Sequence, residues 1–362
     1  MTPALAVVRN FDSPLRLTTA EQVEDFEQEI VDQYSLAMAG AGLSDSHMRS
    51  TRAAIVEFAR FLGEPLWRAS AADADRFLLS LRRDEQARAT VYTKACYLAR
   101  FYDFVVFRYQ GDIHALTDTV VSQPIDEYNR PGCPTYGQER IPPSDREVEL
   151  LFGIWGRSIV DARKYLPAAR DYFAASLWRR VGLRIHETVM LDVRDWRPDL
   201  GEFGKLHVRH GKGSGGRGPK PRLVPAINGA DRLIDWYLAE VRPQFDDGWS
   251  DPDAPMLPSE RHDPETGLCH RVGDDALRAG LKKATKAWLP AWSDLLSPHV
   301  LRHYCASSLY NSGMGLKAVQ ELLGHLWLST TTRYVHVHSD AIDQAWIEAN
   351  RRLESRFELQ GA

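Results

Sequence analysis

Five short stretches in the second half of this chain carry side chains suited to chemistry on an anion. They are Arg184 and Glu187 in "GLRIHE", Lys212 in "GKG", His299 and Arg302 in "HVLR", His325 in "LGH", and Tyr334 nine residues further on. Two guanidiniums can each present paired N–H donors to the non-bridging oxygens of a phosphodiester, which the point charge of a lysine cannot do. Hydrogen bonds to charged groups are worth about 1.5–3 kcal/mol each, and donors aimed at developing charge lower a barrier most. Tyr334 sits in "LSTTTRYVHV", among threonines and beside Arg333, rather than in an apolar pattern, as a hydroxyl that must stay reachable would. A phenol has a pKa of about 10, so it attacks only beside a base or in a strongly positive field.

Each stretch also has a plain structural reading. Gly182-Leu183-Arg184 fits a helix cap followed by a surface arginine. His299 and Arg302 lie three apart, as on any amphipathic helix. His325 suits a satisfied, partly buried histidine, and Arg184 with Glu187 an exposed i,i+3 ion pair. Lys212 suits a simple phosphate contact.

The elements that must position these residues follow from periodicity. Residues 20–110 show apolar residues at three- and four-residue intervals in "QVEDFEQEIVDQYSLAM", "SHMRSTRAAIVEFARFLG", "ADADRFLLSLRRD" and "TVYTKACYLARFYDFVVFRY", which predicts a bundle of four helices. "SDSHMRS" and "SAADADR" supply Ser/Asp caps, and Gly63-Glu64-Pro65 ends the second helix. Residues 111–144, rich in Pro, Gly and polar residues, read as a linker after a short N-terminal tail, 1–19. From Asp145 the pattern is mixed. Helices are expected in "DREVELLFGIWG", "LPAARDYFAASLWRRVG", "GADRLIDWYLAEVR", "VGDDALRAGLKKATKAWL", "SPHVLRHYCASSLYNSG" and "GLKAVQELLGH". "KLHVRH" and "RLVPA" form a hairpin around the Gly-rich "GKGSGGRGPKP", whereas "PQFDDGWSDPDAPMLPSERHDPETGLCH" reads as loop. The fold class is mainly α with a small β-sheet, in two domains. No internal repeat is present.

Bulk composition agrees. The chain has 362 residues, 44% hydrophobic and 26% charged, as in a soluble globular protein of about two domains. No segment reads as a secretory signal or reaches the roughly 20 apolar residues of a membrane span. Cys96, Cys133, Cys269 and Cys305 are far apart with no C-x-x-C pair. That disfavours a disulfide framework or zinc ribbon and makes a reducing cytoplasm the expected setting. The net charge is −4, but positive charge is local. Lys205, Arg209, Lys212, Arg217, Lys220 and Arg222 fall between Gly204 and Leu223, with no acidic residue from Phe203 to Ala230. This is either a solvated loop balanced elsewhere or an anion-facing patch.

Taken in order, the five stretches resemble the tyrosine recombinase (phage integrase) family, whose catalytic domain carries Arg, Lys, His-x-x-Arg, His or Trp, and a nucleophilic Tyr. The resemblance spans residues 145–337 and includes local context: "GLRIHE", "GKG…PRLVP", "PHVLRH", "LLGH" and the following Tyr. It implies a helical core-binding domain over 20–110 and a mixed α/β catalytic domain over 145–337. The implied activity is site-specific recombination through a 3′-phosphotyrosine link, in integration, excision or transposition. Cleavage would conserve the bond energy, so rejoining needs neither ATP nor metal, and no cofactor is expected. Tyr334 would be the nucleophile, with Arg184 and Arg302 on the phosphate. His299 would accept a proton, and His325 would donate a hydrogen bond. Lys212, flanked by Gly211 and Gly213, would protonate the leaving 5′ oxygen, and Glu187 would prop the site. The tip "GSGGRGPK" is longer than the family's usual turn, which leaves a neighbouring hairpin lysine open as the acid. The implied partners are a double-stranded DNA site and further copies of the chain, a dimer on each site and a tetramer in synapsis. A helix over 338–362, with Trp346 and Phe357 as anchors, would either pack on its own domain or, as in related recombinases, dock on a neighbouring protomer. Arg209, Arg217, Lys220 and Arg222, with Arg49, Arg52 and Lys94 from the first domain, are the expected DNA contacts.

Three rivals remain on sequence grounds. A metallohydrolase would use the histidines His299, His303, His325, His336 and His338, but the His299–His303 pair lacks the Glu of H-E-x-x-H. A non-catalytic DNA-binding protein of the same fold would not need the complete polar set. A type IB topoisomerase shares the chemistry. Replacing Arg302 by Lys is expected to remove most strand cleavage in a single-turnover assay; a near-normal rate would contradict the forked-donor argument.

Overall fold

The computed structural model describes residues 16–132, 142–211, 218 and 220–324. Lys212, Arg217, His325, Tyr334 and the segment 338–362 lie outside the described residues. The chain divides into two compact units, Met1–Gln138 with Ser214–Gly218, and Glu139–Gly213 with Pro219–Ala362.

The first unit is a helical bundle of α1 (Ala20–Gly40), α2 (Asp45–Leu62), α3 (Ala71–Arg83) and α4 (Arg88–Thr117). Each of the first three starts where a hydroxyl can accept the orphan amides of a helix N-terminus. Thr19 and Ser70 form capping boxes with Gln22 and Asp73, and the Ser44 side chain accepts from the His47 amide. The apolar stripes meet in a core of Phe26, Ile30, Phe58, Phe77, Leu98 and Tyr102, each at most 4% exposed. The Tyr102 hydroxyl satisfies itself on the Leu66 carbonyl at 2.8 Å.

The boundary expected at residue 111 falls later. Helix α4 continues through Gly111 to Thr117, and Ile113, Val121 and Ile125 are buried in this core. A glycine inside a helix costs about 1 kcal/mol, which burial of one isoleucine offsets. Gln123 then ties the segment after α4 back to that helix, donating to the Ala99 carbonyl and the Asp103 carboxylate at 2.9 and 2.7 Å.

The second unit begins with α5 (Asp145–Ser158), capped by Ser144, and is built around α6 (Tyr165–Val181). Ala169, Phe173, Ala174, Leu177, Trp178 and Val181 of α6 have no exposed surface, so this helix is covered on nearly all sides. A short helix α7 (Ile185–Val189) leads to a three-stranded antiparallel sheet of β1 (Trp196–Arg197), β2 (Lys205–Val208) and β3 (Arg222–Pro225). The expected hairpin is present, with Leu206 opposite Val224 and Val208 opposite Arg222. Helices α8 (Ala230–Trp236), α9 (Asp274–Trp288), α10 (Pro298–Asn311) and α11 (Leu316–Leu323) follow among the described residues of the unit.

Two stretches differ from the pattern read in the sequence. The segment between α8 and α9 is not all loop: β4 (Pro258–His262) pairs antiparallel with β5 (Cys269–Arg271). Four exposed positions in β4 and β5 leave little alternation to signal a strand. The helix expected through "GADRLIDWYLAEVR" changes after Trp236 into a π-helical turn, Tyr237–Val241. There the Tyr237 ring stacks on Phe173, with centroids 4.0 Å apart. Pro243 follows, and it lacks the N–H that an α-helix would need.

Trp178 is the most deeply held large side chain near the start of α7. It is fully buried, and its indole N–H donates to Thr188 Oγ1 at 3.0 Å. Trp178→Ala is expected to lower the unfolding free energy by about 3–5 kcal/mol, read as a lower urea midpoint; an unchanged midpoint would contradict this packing.

Candidate active site

Helix α6 ends at Gly182, in the left-handed region at φ 66°. A Cβ there would press on Leu323 and on Cys305 Sγ, so the glycine lets α10 and α11 approach the turn closely. The reversal brings Arg184 to the N-cap of α7 in extended backbone. Glu187, one turn on, folds back, and its Oε2 accepts the Arg184 main-chain N–H at 2.9 Å while Oε1 accepts Arg184 Nη1 at 2.7 Å. Thr188 fixes the same turn by donating to the Arg184 carbonyl at 3.1 Å.

Glu187 is only 2% exposed, and two more arginines reach it. Arg222, on β3, places its fork on the carboxylate, Nη1 to Oε1 at 2.8 Å and Nη2 to Oε2 at 2.9 Å. Arg302, on α10, lies with Nη1 3.8 Å from Glu187 Oε2. Burial by itself would raise the Glu187 pKa. The Arg222 hydrogen bonds, then the charges of Arg222, Arg184 and Arg302, outweigh it and hold the carboxyl at about 2.

Arg302 is fully buried, and its fork engages main chain: Nη1 donates to the Gly182 carbonyl and Nη2 to the Leu323 carbonyl at 2.6 Å. Arg184 is the open member, with its side chain 25% exposed. His299 stands exposed on the first turn of α10, three residues before Arg302, after the Ser297 cap and Pro298 at N1. Its ring meets that of His303 edge-on at 4.7 Å.

Of the sequence-derived site, the described structure therefore brings Arg184, Glu187 and Arg302 together, while Lys212, His325 and Tyr334 lie outside it. Glu187 is not an exposed ion pair; it is the buried hub. Two of the expected DNA contacts are engaged by carboxylates within the unit, Arg222 nearly buried and Arg209 half-buried. Arg222 is held by Glu187 and by the Leu322 carbonyl at 3.1 Å. Arg209 is held by Asp195 at 2.7 Å and by Asp192. The parity of β3 carried the signal for Arg222: it shares a face with Val224, which is fully buried, whereas Leu223 between them is exposed. Lys220 is exposed next to Gly211, whose carbonyl accepts the Lys220 amide at 3.0 Å. In the first unit, Arg49 is exposed, and Arg52 pairs with Asp32 at 2.6 Å. Lys94 is held by Glu57 and Gln86 at 2.7 and 2.9 Å. Arg49, Arg52, Ala53, Val56, Glu57 and Arg60 line an open groove along α2.

Among the described residues, no three His, Cys, Asp or Glu side chains are grouped as a metal ion would need. No described helix is long and apolar enough to cross a membrane.

Residues 157–340 match the model of the Phage integrase family. The tyrosine recombinase XerC of Staphylococcus haemolyticus is 28% identical over 306 residues, 83% of this chain and 89% of that one. The tyrosine recombinase XerD of Haemophilus influenzae is 32% identical over 194 residues, 53% of this chain and 56% of that one. Among solved structures, the XerH site-specific recombinase bound to a palindromic difH substrate has a TM-score of 0.61 at 18% identity, covering 91% of this chain and 84% of that one. A lambda integrase dimer bound to a COC′ core site has a TM-score of 0.60 at 15% identity, covering 86% of this chain and 96% of that one. At these identities the solved structures speak to the fold.

The depressed Glu187 pKa sets a pH dependence. A carboxyl that titrates at about 2 when folded, against an ordinary 4.5, stabilises the fold fully above about pH 5. That contribution is lost as pH falls from about 4.5 towards 2. At 1.36 kcal/mol per pKa unit it amounts to about 3 kcal/mol. Glu187→Gln is expected to flatten the stability curve across this window. At pH 7 it should lower stability by roughly 3–5 kcal/mol, since buried guanidiniums lose their counter-charge. Parallel wild-type and variant curves in acid would refute the assignment.

Proposed function

The chain belongs to the phage integrase family and is a tyrosine-type site-specific DNA recombinase, and we propose that it breaks and rejoins DNA with Tyr334 as nucleophile at a phosphate framed by Arg184 and Arg302. The observation that carries this assignment is the buried Glu187 with its three guanidiniums. Three positive charges against one carboxylate leave a net of +2 (3 − 1) among the described residues of the cluster. A phosphodiester brings −1 and, when attacked, a phosphorane-like state approaching −2. The cluster thus compensates the attacked state more fully than the substrate, which is the condition for lowering a barrier.

In this reading Arg184 offers its open edge to a non-bridging oxygen, and Arg302 adds charge from the buried side. Their positive field favours the tyrosinate form of Tyr334. His299 accepts the phenolic proton, or relays it, from its exposed place at the head of α10. His325 donates to a phosphate oxygen. Attack by Tyr334 Oη on phosphorus forms the 3′-phosphotyrosine bond and releases the 5′ oxygen, which takes a proton from Lys212 at the hairpin tip. Reversal with a new 5′ hydroxyl rejoins the strand, with no net change in bond energy. Glu187 transfers no proton: a carboxyl held at about 2 stays ionised at neutral pH.

The helical first unit is the DNA-gripping half of this proposal, with the arginine-lined groove along α2 facing the duplex. The partner is a double-stranded recombination site bound by a homo-oligomer, two copies per site and four in synapsis. The segment 338–362 makes the contact between protomers. The reducing cytoplasm suits the thiols of Cys96, Cys269 and Cys305, which are free.

The test is covalent capture on a nicked duplex that carries a binding site selected from a randomised pool. Wild-type chain is expected to leave a protein–DNA adduct, and Tyr334→Phe to bind the same duplex without forming one. An adduct that persists in Tyr334→Phe would reassign the nucleophile. Binding itself is expected to weaken steeply with salt, as phosphate contacts require.

A further inference from the structure

The carbonyls at the end of α11 are held in an unusual way. A helix leaves its last four carbonyls without intrahelical partners, and cations near that end are favoured by the helix dipole. Here two successive carbonyls are each taken by a guanidinium: Leu322 by Arg222 Nε at 3.1 Å and Leu323 by Arg302 Nη2 at 2.6 Å. Both arginines also face Glu187, Arg222 with its whole fork. One side chain from β3 thus touches three acceptors on two elements, the carboxylate of α7 and the main chain of α11.

Gly324 shows how closely this contact is built. The residue caps α11 at φ 66°, and a Cβ on it would stand 2.8 Å from Arg222 Cδ, 2.9 Å from Nε and 3.1 Å from Cζ. The arginine is laid flat across the glycine, with only 12% of its side chain exposed. His325 is the next residue, and Tyr334 follows nine later.

We propose that Arg222 is a positioning residue for strand cleavage: it clasps the end of α11 to the carboxylate that orients Arg184, and so fixes where the chain carrying His325 and Tyr334 leaves the phosphate site. This rests on the reading of Tyr334 as nucleophile. Its role is mechanical and electrostatic together. The fork keeps Glu187 ionised, while Nε sets the origin of the nucleophile-bearing segment. A lysine cannot replace it, because one nitrogen cannot span both carboxylate oxygens and the Leu322 carbonyl. Misplacement of a reacting group by about 1 Å can cost on the order of a hundredfold in rate.

The experiment uses the full chain as Arg222→Lys, Arg222→Gln and Gly324→Ala; the last keeps the arginine but pushes it off the glycine. The substrate is a nicked duplex carrying the sequence selected by wild-type chain from a randomised pool, made with either oxygen or sulfur at the bridging 5′ position. With all duplex bound, cleavage in a single turnover is expected to fall about tenfold to a hundredfold in each variant, with binding within about twofold. Sulfur, which leaves without a proton, is expected not to restore the rate. Normal cleavage, a defect confined to binding, or rescue by sulfur would each overturn the proposal; rescue would place Arg222 in service of the leaving oxygen. Amide hydrogen exchange without DNA supplies an independent reading. Faster exchange after Leu322 is expected in Arg222→Gln, and unchanged exchange would remove the clasp whatever happens to DNA. If wild-type chain forms no adduct, the catalytic assignment fails by itself, while exchange still decides the clasp.

Discussion

A single buried carboxylate organises the second unit. Glu187 would be costly to ionise alone in the interior, and an unpaired buried charge is worth several kcal/mol of destabilisation. Three guanidiniums remove that cost and create a second condition, since each of them also needs its counter-charge. The partners come from α7 itself, from β3 and from α10. Their mutual dependence ties three elements that are far apart in the chain. The surplus of positive charge that results is what an anionic reaction centre requires.

Main-chain oxygens provide the rest of the framework. Arg302 grips the carbonyls of Gly182 and Leu323, and Arg222 grips that of Leu322. Such contacts demand that backbone and side chain approach closely, and glycines make this available. At Gly182 and Gly324 the chain adopts positive φ, and in both places a Cβ would collide with a neighbouring element. At Gly211 the constraint is steric only: an added Cβ would strike the Lys220 carbonyl oxygen. The glycines that read as turn signals are therefore also clearance for the arginines and for the hairpin.

Positive charge is local in a chain of net −4. Some of it is neutralised by nearby carboxylates. Arg209 and Arg271 converge on Asp192, and Arg209 also on Asp195. These ion pairs hold the loop that follows α7. Other basic side chains stay at the surface, among them Lys220 in the second unit and Arg49 and Arg60 along the α2 groove of the first.

Much of this was legible in the sequence, for local reasons. The caps at Ser44 and Ser70 start helices where the apolar period begins, because orphan amides and hydroxyls are chemical neighbours along the chain. The hairpin of β2 and β3 and the His299–Arg302 spacing are equally short-range, and the ordered polar set was enough to indicate the family. Helix α4 ran past Gly111 because Ile113, Val121 and Ile125 found a core that no local window contains. The β4–β5 pair stayed hidden because its exposed residues do not alternate. Arg222 looked like one more cation in a basic stretch; strand parity with Val224 marked its face as inward, and tertiary packing supplied Glu187 and the Leu322 carbonyl as its partners. Residue types and spacing thus determined which chemistry the chain carries. Which charges point inward was decided by the fold, since a charge goes where a buried counter-charge waits, and that partner lies 35 residues away in the chain for Arg222 and Glu187.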